Sequence, residues 1–129
     1  MFPKDLKILI CDDMGTMRKI IKNSLSDLGY NNTVQAKDGV EGWAKLEECV
    51  GQPDKIGMIL CDWNMPSMTG IDLLKQIRGD ERFADLPFIM LTAKSEEADA
   101  QEADHFGVSA YITKPFSASD LEETFKQIF

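Results

Sequence analysis

Histidine is almost missing from this sequence, and cysteine, long apolar runs and net positive charge are scarce. The 129 residues hold one histidine and three cysteines. A single imidazole, His105, cannot build a histidine-based metal centre, and its acidic, helix-patterned neighbourhood points to a surface position. Cys11, Cys49 and Cys61 are odd in number and lack CxxC spacing, which argues against a disulfide framework or a zinc ribbon. They read as reduced, partly buried thiols of a cytoplasmic protein. Cys11 and Cys61 each sit in an apolar run, where cysteine acts as a small hydrophobe. No apolar stretch approaches the roughly 20 residues of a membrane span. The amino terminus lacks the basic start and apolar run of a signal peptide. No GxxxxGK[ST] phosphate loop is present.

Charge narrows the partners further. Lys and Arg number 14 against 22 Asp and Glu, a formal net charge of −8. A field of that sign disfavours binding to a phosphate backbone, so nucleic acid is not an expected partner. Cations and basic protein segments remain. The hydrophobic fraction of 43% and charged fraction of 28% are those of a soluble globular protein. The length suits one domain over 1–129, with no linker or repeat and no separate output domain.

What the chain does have is alternation. Short apolar runs at Leu6–Cys11, Thr33–Ala36 (weak), Met58–Cys61, Pro87–Leu91 and Ala110–Ile112 read as buried strands. Helical spacing links Met17, Ile20, Ile21, Leu25 and Leu28 ahead of Gly29, and Val40, Trp43, Ala44 and Leu46 after Asp38-Gly39. It links Ile71, Leu74 and Ile77 between Gly70 and Gly79. Ser95 to Phe106 reads as a further helix whose inward face is mostly alanine, and Leu121, Phe125 and Ile128 mark the last. Strands and helices in alternation predict an α/β domain: a single open, doubly wound, five-stranded parallel sheet with five helices. Chemistry in such sheets sits outside the carboxyl ends of the strands.

Those ends are polar. The first strand runs into Asp12-Asp13, the third into Asp62, the fourth into Thr92 and the fifth into Lys114-Pro115. Two carboxylates about 4 Å apart repel by roughly 4 kcal/mol at an effective dielectric of 20. Three therefore require a bound proton or a cation. A hard divalent ion with oxygen ligands fits, and magnesium keeps waters that leave room for a phosphoryl oxygen. A carboxylate beside such an ion can attack phosphorus and become an acyl phosphate. Lys114 supplies a point charge and Thr92 a hydroxyl for the transferring group. Each residue also has a plainer reading. Asp12 could cap the following helix. Thr92 could be a β-former or a cap, and Tyr111 an ordinary strand aromatic. Trp63 reads as packing, and Met14, Met17, Met58, Met65, Met68 and Met90 as core or rim filler.

Cys11-Asp12-Asp13, Cys61-Asp62-Trp63-Asn64-Met65-Pro66, Leu91-Thr92-Ala93 and Lys114-Pro115-Phe116 together resemble a response regulator receiver domain over nearly the whole chain. With Thr16-Met17-Arg18 and Asp38-Gly39-Val40, the likeness is strongest to the stand-alone chemotaxis regulators of that family. The resemblance implies a flavodoxin-like strand order, 2-1-3-4-5. It implies Asp62 as phosphoacceptor and a Mg2+ site of Asp13, Asp62 and the Asn64 carbonyl, with Asp12 acting through water. It further implies Thr92 and Lys114 on the phosphoryl group, Tyr111 as a rotating switch, and a cis Lys114–Pro115 bond. The implied partners are a sensor histidine kinase and a downstream protein docking on the Ser95–Phe106 helix, the fifth strand and the last helix.

The expected protein is thus a cytoplasmic, monomeric signalling receiver, not a turnover enzyme, that catalyses only its own phosphorylation and autodephosphorylation. A phosphoryl carrier or phosphate sink that does not bind the flagellar motor is the alternative. Glu96, Glu97, Asp99 and Glu102 stand where basic residues are expected for motor docking, and Lys94 stands where an acid or polar residue is expected. A magnesium-dependent phosphatase or NTPase is disfavoured, because no second aspartate follows two residues after Asp62.

Overall fold

A computed structural model of the chain describes residues 2–93 and 107–129. The Ser95–Phe106 helix, Lys94, the acids between Glu96 and Glu102, and His105 lie outside the described residues. Elsewhere the order is β1 (Lys7–Cys11), α1 (Gly15–Asp27), β2 (Thr33–Ala36), α2 (Gly39–Cys49), β3 (Ile56–Asp62), α3 (Gly70–Arg78), β4 (Phe88–Ala93), β5 (Ala110–Lys114) and α4 (Ala118–Ile128). The five strands are parallel and ordered β2-β1-β3-β4-β5, as the resemblance implied.

The central strands are apolar at nearly every position because both faces are covered. Side chains alternate between two cores. Leu9, Cys11, Ile59, Cys61 and Met90 face Leu46 of α2 and Leu74 and Ile77 of α3. Ile8, Ile10, Leu60, Ile89 and Leu91 face Ile21 and Leu25 of α1 and Leu121 and Phe125 of α4. Full burial of each such side chain contributes about 1.5–3 kcal/mol. Phe125 also meets Phe2 and Tyr30 edge to face, with centroids 5.8 and 5.4 Å apart. Cys11, Cys49 and Cys61 are buried free thiols, so all three are packing residues. Burial, and then a hydrogen bond with Cys11, hold the Cys61 thiol well above its ordinary pKa.

Local signals set the helix ends. Asp38 caps α2 by accepting the Glu41 N–H at 2.8 Å. Thr69 with Asp72, and Ser117 with Asp120, form reciprocal capping boxes on α3 and α4. Gly29 stops the chain after α1 at φ 93°, a conformation glycine adopts freely. Gly70 is the first residue of α3 rather than a position before it. Three apolar residues proved exposed rather than core: Met14 at 57%, Ile20 at 51% and Val40 at 55%. Met14 is the N-cap of α1. Ile20 and Val40 sit at the outer margins of their helices, whose buried stripes are narrower than the apolar spacing suggested.

Candidate functional site

On β1, Ile8 and Ile10 face one core, and on β3, Met58 and Leu60 face the same one. Asp12 and Asp62 follow at the next two-residue step, so both carboxylates lie on that face, beyond the last apolar row. Lys114 follows Ile112 on β5 in the same way. The alternation that builds the core therefore gathers three charged groups at one end of the sheet.

Carboxylate oxygens of Asp12, Asp13 and Asp62 lie within 4.8 Å of one another. Asp12 is fully buried and Asp62 is 9% exposed, while Asp13 is open to solvent. Lys114 Nζ donates to Asp62 Oδ1 at 3.0 Å and to Asp12 Oδ2 at 3.3 Å. This ammonium is a cation that three clustered carboxylates require, supplied by the chain itself. It does not fully compensate them. Burial pushes the Asp62 carboxyl up from its ordinary value; Lys114 opposes that, and the charges of Asp12 and Asp13 add to it. For Lys114, burial acts to lower the pKa, but its bonds and charge contacts with Asp62 and Asp12 outweigh burial and raise it.

Asp12 does not cap α1, whose N-cap is Met14 with no side-chain cap bond, but it holds the turn ahead of that helix. Its Oδ1 accepts the Met14 N–H at 2.9 Å, next to the start of α1. The other oxygen points to Lys114, so one side chain both orders the turn and enters the acidic cluster. A contact absent from the sequence reading comes from Arg18. Its Nη1 donates to the Asp12 carbonyl at 2.7 Å and its Nε to Gln35 Oε1 at 3.1 Å. The Thr16-Met17-Arg18 triplet was the available signal, but nothing in one sequence ties it to a particular carbonyl.

Behind Asp62 the chain turns sharply. Trp63 is 7% exposed; its N–H donates to Leu91 O at 3.0 Å and its carbonyl accepts from Gly70 at 3.0 Å. Asn64 follows it in the loop. Gly70 packs so tightly that a Cβ there would overlap the Asp62 carbonyl oxygen and lie 2.9 Å from Met90 Sδ. Gly39 donates to Met68 O at 3.3 Å, tying this loop to the start of α2. Thr92 is buried near the end of β4, in register with Thr113. Tyr111 lies one two-residue step back from Thr113 on the same face and is 40% exposed. The Lys114–Pro115 bond is cis. The geometry joins Asp12, Asp13, Asp62 and Lys114 directly, with Thr92 at the same sheet end and Tyr111 further down β5 at the edge.

The family model for the response regulator receiver domain matches residues 8–126. The chain belongs to this family. Receiver domains are signalling proteins. This receiver is closely related to chemotaxis regulators. It is 48% identical over 126 residues to chemotaxis protein CheY-3 of Vibrio cholerae, covering 98% of this chain and 93% of the relative. It is 46% identical over 124 residues to chemotaxis protein CheY of Pseudomonas aeruginosa, covering 96% of each. The solved structure of chemotaxis response regulator CheY4 of Vibrio cholerae superposes with a TM-score of 0.82 at 30% identity, over 97% of this chain and 99% of that one. This chain is thus a response regulator receiver of two-component signalling. Its acidic group of Asp12, Asp13 and Asp62 could hold the Mg2+ that such receivers bind. No helix among the described residues is long and apolar enough to cross a membrane.

Proposed function

We propose that this receiver is a phosphoaspartate switch whose acceptor is Asp62. One observation carries the reading: Asp62 is nearly buried, shares a 4.8 Å cluster with two more carboxylates, and has Lys114 Nζ 3.0 Å from Oδ1. A carboxylate oxygen of Asp62 attacks the phosphorus of a phosphohistidine on a sensor kinase. The new O–P bond forms as the P–N bond breaks, and the bonding pair leaves on the imidazole nitrogen, which takes a proton from solvent. Lys114 keeps its proton and offers its charge to the phosphoryl oxygens. The Thr92 hydroxyl contacts the same group, and Tyr111 reports the change at the β5 edge.

Asp13, Asp62 and the Asn64 carbonyl would hold Mg2+, with Asp12 acting through a bound water. All are hard oxygen donors of the kind that ion prefers. When bound, the ion neutralises charge on the transferring phosphoryl group. Attack by water on the acyl phosphate then returns the free carboxylate and inorganic phosphate. The protein is a cytoplasmic monomer, without nucleic acid or membrane partners, and it signals by docking to a downstream protein. Its output face includes β5 and α4; the Ser95–Phe106 helix, also expected to dock the target, lies outside the described residues.

Incubation with acetyl phosphate and magnesium should add one phosphoryl group per chain, read by intact mass. Asp62→Asn should abolish that gain. Uptake unchanged in Asp62→Asn would remove Asp62 as acceptor.

A further inference from the structure

We propose that the cleft between β5 and α4 receives a basic protein segment, one that places a Lys or Arg beside an apolar side chain. The inference rests on reading this face as the output face, and it adds the chemistry of the partner. The cleft has a volume of about 340 Å³ and is lined by Tyr111, Ile112, Thr113, Asp120, Glu123 and Thr124. Its apolar contribution comes from Tyr111, which is 40% exposed, while Ile112 is buried toward the core. Its wall is acidic, with Asp120 and Glu123 both exposed on α4.

Nothing basic on these two elements offsets that wall. β5 and α4 carry two lysines, Lys114 and Lys126, and no arginine. Lys114 is turned inward, onto Asp62 and Asp12. Lys126 is 3.3 Å from Glu122, a carboxylate outside the cleft lining. Thr124 donates its hydroxyl to the Asp120 carbonyl at 2.9 Å, and the Asp120 carboxylate accepts the Ser117 N–H without losing its charge. β5 is also the edge of the sheet, so its outer side has no neighbouring strand among the described residues. A partly exposed aromatic beside an acidic wall complements a cationic side chain flanked by a hydrophobic one. An acidic segment would meet like charge at the same contact.

The test is a displayed peptide library unbiased in charge, selected against the whole chain phosphorylated with acetyl phosphate and magnesium. Enriched sequences should carry net positive charge, and cross-saturation NMR should place them against Tyr111, Ile112 and Glu123. Glu123→Lys should weaken an enriched peptide about tenfold, chiefly through slower association, and Glu123→Gln should weaken it less. Added salt should lower affinity for wild type more than for Glu123→Lys. Circular dichroism and unchanged phosphoryl uptake establish that both variants are folded. Enrichment of acidic peptides, binding away from the cleft, or no enrichment from a phosphorylated chain would each overturn the inference while leaving the phosphorylation reading intact. Failure of phosphoryl uptake is a separate readout and counts against that reading alone.

Discussion

Ser67 lies at φ 67°, and the Met68 N–H closes a three-residue turn onto the Pro66 carbonyl at 2.7 Å. Such a turn is strained for any residue with a Cβ. Glycine relieves about 1–2 kcal/mol there, against roughly 0.5–1 kcal/mol of added chain entropy on unfolding. A β-branched residue worsens the strain. Urea denaturation should therefore rank Ser67→Gly at or slightly above wild type, and Ser67→Val below both. Equal stability of the glycine and valine variants would mean the turn is not strained. Gly70 poses the converse problem. Its φ is not positive, but its Cα packs against the Asp62 carbonyl and Met90 Sδ. Gly70→Ala should cost about 1–3 kcal/mol by overpacking. The Asp62 end of β3 should move with it, which chemical shifts of Asp62 and Trp63 would show. A variant as stable as wild type would mean that the loop yields easily.

At the scale of elements, capping carries much of the local order. Thr69 accepts the Asp72 N–H at 3.2 Å and Ser117 accepts the Asp120 N–H at 3.1 Å. Thr69→Ala and Ser117→Ala should each lower unfolding stability by about 1 kcal/mol. The caps lie on helices packed against opposite faces of the sheet. The double variant should thus lose nearly the sum, and a large shortfall would imply coupling through the sheet. Most elements were legible because both cores leave an apolar imprint: Ile8–Cys11 and Met58–Cys61 can hardly be anything but buried strands. β3 begins earlier than its apolar run, at Ile56, and Gly57 interrupts both the run and the ladder: the register to β1 shifts between Lys7 and Ile8, leaving Gly57 without a partner there. A Cβ at Gly57 would strike Leu6, so the gap in the pattern is itself a packing contact. The acidic cluster was legible for a similar reason, since Asp12 and Asp62 directly follow apolar runs and Asp13 adjoins Asp12. The Lys114 bridge to Asp12 was not, because it spans 102 residues and depends on strand order, which one sequence does not encode locally. Nor was the Arg18 bond to the Asp12 carbonyl, because main-chain acceptors leave no mark in a sequence.

For the whole molecule, the acidic cluster sets how stability depends on pH and magnesium. The folded-state pKa of Asp62 is raised, first by burial and then by Asp12 and Asp13, with Lys114 opposing. A raised carboxyl pKa means that the folded chain holds this proton more tightly than the unfolded chain does. Its contribution is fully present below the ordinary aspartate value and is lost as pH rises through the raised one. Above that window the ionised group is a net burden on the metal-free fold. Asp62→Asn, which keeps the shape and removes the charge, should melt higher than wild type at neutral pH without magnesium. Its stability should also vary less with pH across the carboxylate range. Magnesium reverses the sign, because only ionised carboxylates bind it. Magnesium at ten times its dissociation constant should add about 1.4 kcal/mol to wild type, or about 3–6 °C in Tm. That increment should shrink as pH falls into the carboxylate range. Asp13→Asn should melt higher than wild type in metal-free buffer, because it removes one charge that raises Asp62, and it should lose most of the magnesium increment. Calcium should compete for the site at millimolar concentration, since it accepts the same oxygen ligands. A melting temperature indifferent to magnesium in wild type, or a full increment retained in Asp13→Asn, would separate this cluster from metal binding. The three carboxylates would then be a charge burden offset only by Lys114.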